Sequence, residues 1–205
     1  VERRLTVHHA IFALELCLPL RPGDSLQSEL KELIVRQPAM SRPGQKHQFY
    51  SRVASLLKQR LGDAVSGCWD FFDDDARARR DHEMWFNGMA TREGSRKSPS
   101  GPGDAYRGDL RYLTFTLSLL LDGSGHSVRR MAATCDIPEG ALWTRPTFAR
   151  VLGGVPQLSF ASVRSDVVYL IPRDDGWGLT AQDLADPKFH YLRPLGEGAR
   201  STASL

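Results

Sequence analysis

The stretch Arg111-Tyr-Leu-Thr-Phe-Thr-Leu-Ser-Leu-Leu-Leu121 decides how the rest of the chain is read. Leu113, Phe115, Leu117, Leu119 and Leu121 alternate with Tyr112, Thr114, Thr116 and Ser118, the period of two that a β-strand imposes on its side chains. The alternation predicts a strand near the centre of a sheet, with one buried and one solvated face. Asp122-Gly-Ser-Gly125 reads as a hairpin turn, with residues 127–135 as the partner strand. Val128, Met131 and Ala132 also suit a short helix in the same place.

Upstream, Phe12, Leu14, Leu16 and Leu18 alternate with smaller or polar residues, so residues 5–18 read as a strand of the mature fold. His8, His9 and Glu15 interrupt the apolar run that a signal peptide needs. Leu26, Leu30, Leu33 and Ile34 recur at helical spacing, as do Phe49, Val53, Leu56, Leu57 and Leu61, giving two helices over about 26–36 and 45–61. Residues 65–72 read as a strand and 83–89 as a weaker one. Arg92 to Arg107 is rich in Gly, Ser and Pro, and such composition predicts a mobile loop over about 92–108. Thr144-Arg-Pro146 opens a short helix carrying Phe148, Val151 and Leu152. Leu158–Val163 and Val167–Ile171 read as two further strands, and residues 196–205 as a disordered tail. The expected fold is a single α+β domain over 1–195, a sandwich with a mostly antiparallel or mixed sheet, helices on one face and a ferredoxin-like flavour.

The 205 residues carry a formal net charge of +3, too small to demand a polyanionic partner, and no apolar run is long enough to cross a bilayer. Arginine outnumbers lysine 22 to five, with one Asn and four Ile, a pattern that a GC-rich bacterial genome produces. Cys17, Cys68 and Cys135 are few, odd in number and far apart, which fits buried thiols in a reducing cytosol.

The densest chemistry lies in Ser66–Phe86, where Asp70, Asp73, Asp74, Asp75, Asp81 and Glu83 accompany His82, Cys68 and three arginines between Trp69 and Trp85. Consecutive carboxylates in an extended chain point to opposite sides, so they do not converge on an ion; the stretch reads as a charged turn between aromatic strands. A helical reading pairs Asp73 with Arg77 and Asp75 with Arg79 at i,i+4. His8 and His9 diverge on a strand, and His9 and Cys17 lie too far apart for a dyad. No nucleophile elbow, phosphate cradle or dinucleotide motif is present, and neither a metal nor a cofactor is expected.

A binding surface remains. Arg77, Arg79, Arg80, Trp85, Arg96 and Arg107 form the expected partner contacts, because Arg and Trp dominate protein-interface hot spots. The sequence therefore favours a non-enzymatic, cytosolic bacterial protein-binding domain of the immunity, antitoxin or accessory-factor kind, with another protein as partner and no membrane. Single-stranded nucleic acid bound along the Arg-bordered 77–111 region is the alternative, although interleaved acids blunt its field. A hydrolase assembled from dispersed Asp and His residues is the second.

Overall fold

The computed structural model describes residues 8–21, 23–37, 42–93, 110–123, 125–173 and 178–197. The expected loop over 92–108, including Arg96 and Arg107, lies almost wholly outside these residues, as does most of the 196–205 tail. A five-stranded, wholly antiparallel sheet organises the chain: β1 (His9–Leu20), β2 (Ser66–Phe72), β3 (Arg111–Asp122), β4 (Val163–Ile171) and β5 (Arg193–Pro194), in the order β4-β3-β1-β2-β5. The α+β single-domain expectation holds. The 111–121 strand has partners on both sides, but the central position belongs to β1.

Among the described residues six α-helices connect the strands: α1 (Leu26–Arg36), α2 (Pro43–Gln59), α3 (Asp75–Glu93), α4 (His126–Cys135), α5 (Arg145–Gly154) and the single turn α6 (Ala181–Leu184). Returning to an antiparallel neighbour through helices takes an even number of them. The α1–α2 pair joins β1 to β2 and the α4–α5 pair joins β3 to β4, each strand landing beside its predecessor. β2 and β3 both run opposite to β1 and so are parallel to each other; the single helix α3 carries the chain across β1 between them. A ferredoxin-like order has a direct strand-to-strand connection there, so that part of the likeness does not extend to the topology.

The main core lies on one sheet face, as expected for the helical layer. Phe12, Leu14, Leu16 and Leu18 of β1 and Leu113, Phe115, Leu117 and Leu119 of β3 pack against Leu26 and Leu30 of α1, Tyr50, Val53 and Leu57 of α2, Met131 of α4 and Phe148 and Val151 of α5. Each helix turns an i, i+3/i+4 stripe towards these leucines. Thr144 caps α5, its hydroxyl accepting from Thr147 N, with Pro146 in the first turn where a missing N–H costs nothing.

Four readings of the sequence are corrected. Residues 75–93 form α3, where a charged turn and a weak strand at 83–89 were expected. Residues 127–135 form α4 rather than a hairpin strand, the helical alternative prevailing because Val128 and Met131 share one inward face. The two expected strands at 158–171 are one, β4, preceded by a 3₁₀ turn at Phe160–Ser162. The far face of β3 is not solvated: Thr114, Thr116 and Ser118 are buried, because α3 and the C-terminal segment cover that side.

Two consequences are measurable. Phe115→Ala removes a ring that is 0% exposed at the centre of the core and is expected to cost about 3–5 kcal/mol in denaturant unfolding. Thr116 Oγ1 is buried with no hydrogen-bond partner among the described residues, so the isosteric Thr116→Val is expected to leave stability unchanged or raise it by about 1 kcal/mol. A clear loss in the valine variant would show that the hydroxyl is satisfied.

Candidate functional site

The second face of the sheet is polar for a buried surface. β1 contributes Glu15, which is 0% exposed, and Cys17; β3 contributes Thr114, Thr116 and Ser118. α3 closes over it with Ala78, His82 and Trp85, spaced four and three apart and so on one helical face. The helix starts where the acid run ends. The Asp74 carboxylate accepts from Arg77 N at 2.8 Å, and Asp75 occupies the first turn, where negative charge meets the unsatisfied N–H groups. The three consecutive acids thus start a helix. Asp75 also fastens it to β1, accepting from His9 N at 3.0 Å and lying 2.6 Å from His9 Nδ1, and these bonds hold its carboxyl below the ordinary value.

His82 sits between two serines. Its Nδ1 is 2.9 Å from Ser118 Oγ on β3 and its Nε2 is 2.9 Å from Ser165 Oγ on β4. A neutral imidazole donates from one nitrogen and accepts at the other, which two hydroxyls satisfy in full. Burial depresses the His82 pKa, against weaker opposing pulls from Asp166 and Glu83. Burial also raises the thiols of Cys17 and Cys135 to about 12, far from the thiolate a nucleophile needs. Glu15 is tied down by the Tyr191 hydroxyl, which donates to Oε2 at 2.8 Å. Asp166, on the opposite face, accepts from Tyr50 at 2.7 Å and Gln37 at 2.9 Å and pairs with Lys46, fastening α1 and α2 to β4. Among the described residues no group of three or more His, Cys, Asp and Glu is placed to hold a metal ion.

A concave site lies where α3 and the C-terminal segment meet the edge of β2. A pocket of ≈ 340 Å³ is lined by Trp69, Asp70, Trp85, Trp143, Tyr191 and Arg193, with Cys68 and Met84 completing its wall. Four separate parts of the chain build it. Trp69 is fixed by its indole N–H donating to Leu142 O at 3.0 Å, and Trp85 and Tyr191 meet edge to face with centroids 6.2 Å apart. The pocket opens along a strand edge: β5 pairs with Ser66 and Gly67 alone, leaving Cys68–Phe72 with no outer strand among the described residues.

Of the expected contact residues, Trp85 lines this pocket. Arg77, Arg79 and Arg80 do not; they lie on the outer side of α3, where Arg79 pairs with Asp75 at 2.6 Å and Arg77 and Arg80 each reach Asp81 at 3.3 Å. Of the two i,i+4 pairs anticipated for a helix, Asp75–Arg79 forms, while Arg77 turns to Asp81 and lies 3.3 Å from the centre of the Phe72 ring. Trp69, Asp70, Trp143, Tyr191 and Arg193 were not singled out as contact residues. Their local sequence gives little signal: Trp69 falls within the strand pattern of 65–72, and Trp143 and Tyr191 lie beyond any helical stripe.

No family model, curated protein or solved structure matches the chain.

The buried imidazole sets a pH dependence. The folded state holds His82 neutral below the pH at which the unfolded chain protonates it, so its contribution is full above an unfolded pKa of about 6.5 and is lost as pH falls below it. Asp75, with its depressed pKa, adds a second loss below about pH 4. Urea unfolding between pH 7.5 and 5 is expected to show a declining midpoint in the wild type and a flatter one in His82→Gln. Parallel profiles would remove His82 as the cause.

Proposed function

We propose that this chain is a non-enzymatic protein-binding domain that takes an extended segment of a partner protein along the outer edge of β2, with one of the segment's side chains in the tryptophan pocket. The observation that carries the reading is the convergence of three Trp and one Tyr on a strand edge that β5 leaves open after Gly67. An open edge offers backbone N–H and C=O groups to an incoming strand, and a neighbouring pocket supplies the selectivity that main-chain bonds lack. Large rings with few rotatable bonds give much contact area for little lost entropy, which is why they dominate binding hot spots. Exposed Met84 and Phe86, 59% and 58% accessible, extend the apolar surface along α3.

Two further observations support a protein over the alternatives. The α3 arginines that would follow a phosphate backbone are matched by Asp75 and Asp81. The thiols of Cys17 and Cys135 are held protonated, and His82 has both nitrogens occupied by serines, so the obvious acid–base and nucleophilic groups are committed to packing. The free thiols and the GC-biased composition support a cytosolic, bacterial setting, in which an immunity, antitoxin or accessory role fits a small binding domain.

The test is selection of peptides from a random display library on the folded domain, followed by NMR titration. Selected peptides are expected to shift the backbone amides of Trp69 and Phe71 and the indole signals of Trp69 and Trp85. Trp85→Ala should weaken them at least about tenfold, a loss of ~1.4 kcal/mol. Shifts confined to the other edge of the sheet would defeat the proposal. So would tighter binding of oligo-dT with a steep salt dependence, the mark of a nucleic-acid site.

A further inference from the structure

We infer that the pocket at the β2 edge is selective for an alkylammonium group, the head of a lysine side chain or of its N-methylated forms. The inference rests on the proposed protein-binding reading and names the side chain that reading leaves open.

The walls supply the first argument. Indole and phenol faces carry a negative quadrupole, and several such rings around one volume attract a cation while tolerating its methyl groups. At ≈ 340 Å³ the pocket is at the small end for organic ligands, which suits one side chain. Asp70 supplies the second. Its carboxylate lines the pocket and makes no hydrogen bond or ion pair with any described side chain. The nearest guanidinium on α3, that of Arg77, is engaged with Asp81 and the Phe72 ring. Although Asp70 is exposed to solvent at the pocket mouth, partial desolvation raises its pKa, with Asp81 adding to the rise and Arg77 opposing it. A bound cation relieves that cost; a neutral ligand does not.

Arg193 gives the site a direction. Its backbone pairs with Gly67, three residues along β2 from Asp70, so the two charged residues stand roughly 10 Å apart along the strand. Gly67 pairs with Leu16 and Asp70 with Ala13, so the two charged residues lie on opposite faces of the strand edge, and the pocket that wraps this edge is negative on the Asp70 side and positive on the Arg193 side. An ammonium group is drawn towards the first, while carbonyl or carboxylate groups of the same segment face the second. On the Asp70 side the cation meets Trp85 and Tyr191, which cover the same sheet face as Ala13 and Glu15.

Three small probes test the assignment on the intact chain by NMR of the indole N–H signals: Nα-acetyl-Nε-trimethyllysine methylamide, its unmethylated form, and the neutral isostere in which a tert-butyl group replaces trimethylammonium. The two cations are expected to shift the Trp69, Trp85 and Trp143 indoles saturably, and the isostere to bind at least about tenfold more weakly. Asp70→Asn is expected to remove most of that preference while leaving the backbone amide spectrum of the core unchanged. Equal binding of cation and isostere would overturn the inference and leave an apolar anchor site, with the proposed function intact. Absence of any indole shift with the cations would overturn it as well, and the display-selected peptides would then report separately whether the β2 edge binds protein. A cation preference that Asp70→Asn leaves unchanged would refute the role of the carboxylate.

Discussion

Everything else in the structure follows from the burial of β1 on both faces. Ala10, Ile11, Phe12, Ala13, Leu14, Glu15, Leu16, Cys17 and Leu18 are all 0% exposed, so the strand has no solvated side. From Phe12 to Leu20 its even-numbered residues are large and apolar and demand the thick helical layer of α1, α2, α4 and α5. Apart from Ile11, its odd-numbered residues Ala13, Glu15 and Cys17 are small or polar and admit a thinner cover. That asymmetry explains the connections: paired helices on the apolar side, and one helix plus a chain terminus on the other. The apolar layer supplies most of the stabilisation, since burying each leucine or phenylalanine is worth about 1.5–3 kcal/mol.

The thinner layer is held by polar pairing. Glu15 accepts from Tyr191, His82 lies between Ser118 and Ser165, and Asp75 ties the start of α3 to His9. Each bond meets a group that burial would otherwise leave costly. The C-terminal segment adds an apolar clasp in which Leu179 and Phe189 pack with Tyr169 and Ile171, while Leu179 exchanges two 2.8 Å backbone bonds with Tyr112. Such a layer is specific in geometry and modest in hydrophobic area. It also delivers Trp85 and Tyr191 to the edge of β2, so the bonds that cover Glu15 and His82 position the rings of the pocket. Structure and proposed function share one set of contacts here.

The site has a clear division of labour. In the proposed site the open strand edge is assigned backbone pairing, the rings contact area, and Asp70 and Arg193 the charge on its two sides. The arginines of α3, though more numerous, contribute little net field because Asp75 and Asp81 meet them within the helix, and exposed pairs of this kind are worth about 0–1 kcal/mol. Counting basic residues along the chain points to the outer side of α3, whereas Trp85 reaches the pocket from its inner side. What matters is which charges are left without a local partner.

The amino-acid sequence by itself determined the apolar half of the protein. Alternation marked β1 and β3, and helical spacing marked α1, α2 and α5, because residues facing a thick hydrophobic layer must repeat with the period of their element. The same rule hid α3: its inward residues are Ala78, His82 and Trp85, chosen to meet serines, a small strand residue and a tyrosine, so no aliphatic stripe appears. It also left 127–135 open between strand and helix, a choice settled by packing Val128 and Met131 into the core. The pocket was legible only in part. Trp85 stood out, whereas Trp69, Asp70, Trp143, Tyr191 and Arg193 come from β2, the approach to α5 and the C-terminal segment, up to 124 positions apart. Only the tertiary structure decided that they meet, because the proximity of distant segments depends on sheet order and on which face each helix covers, and no local periodicity records either.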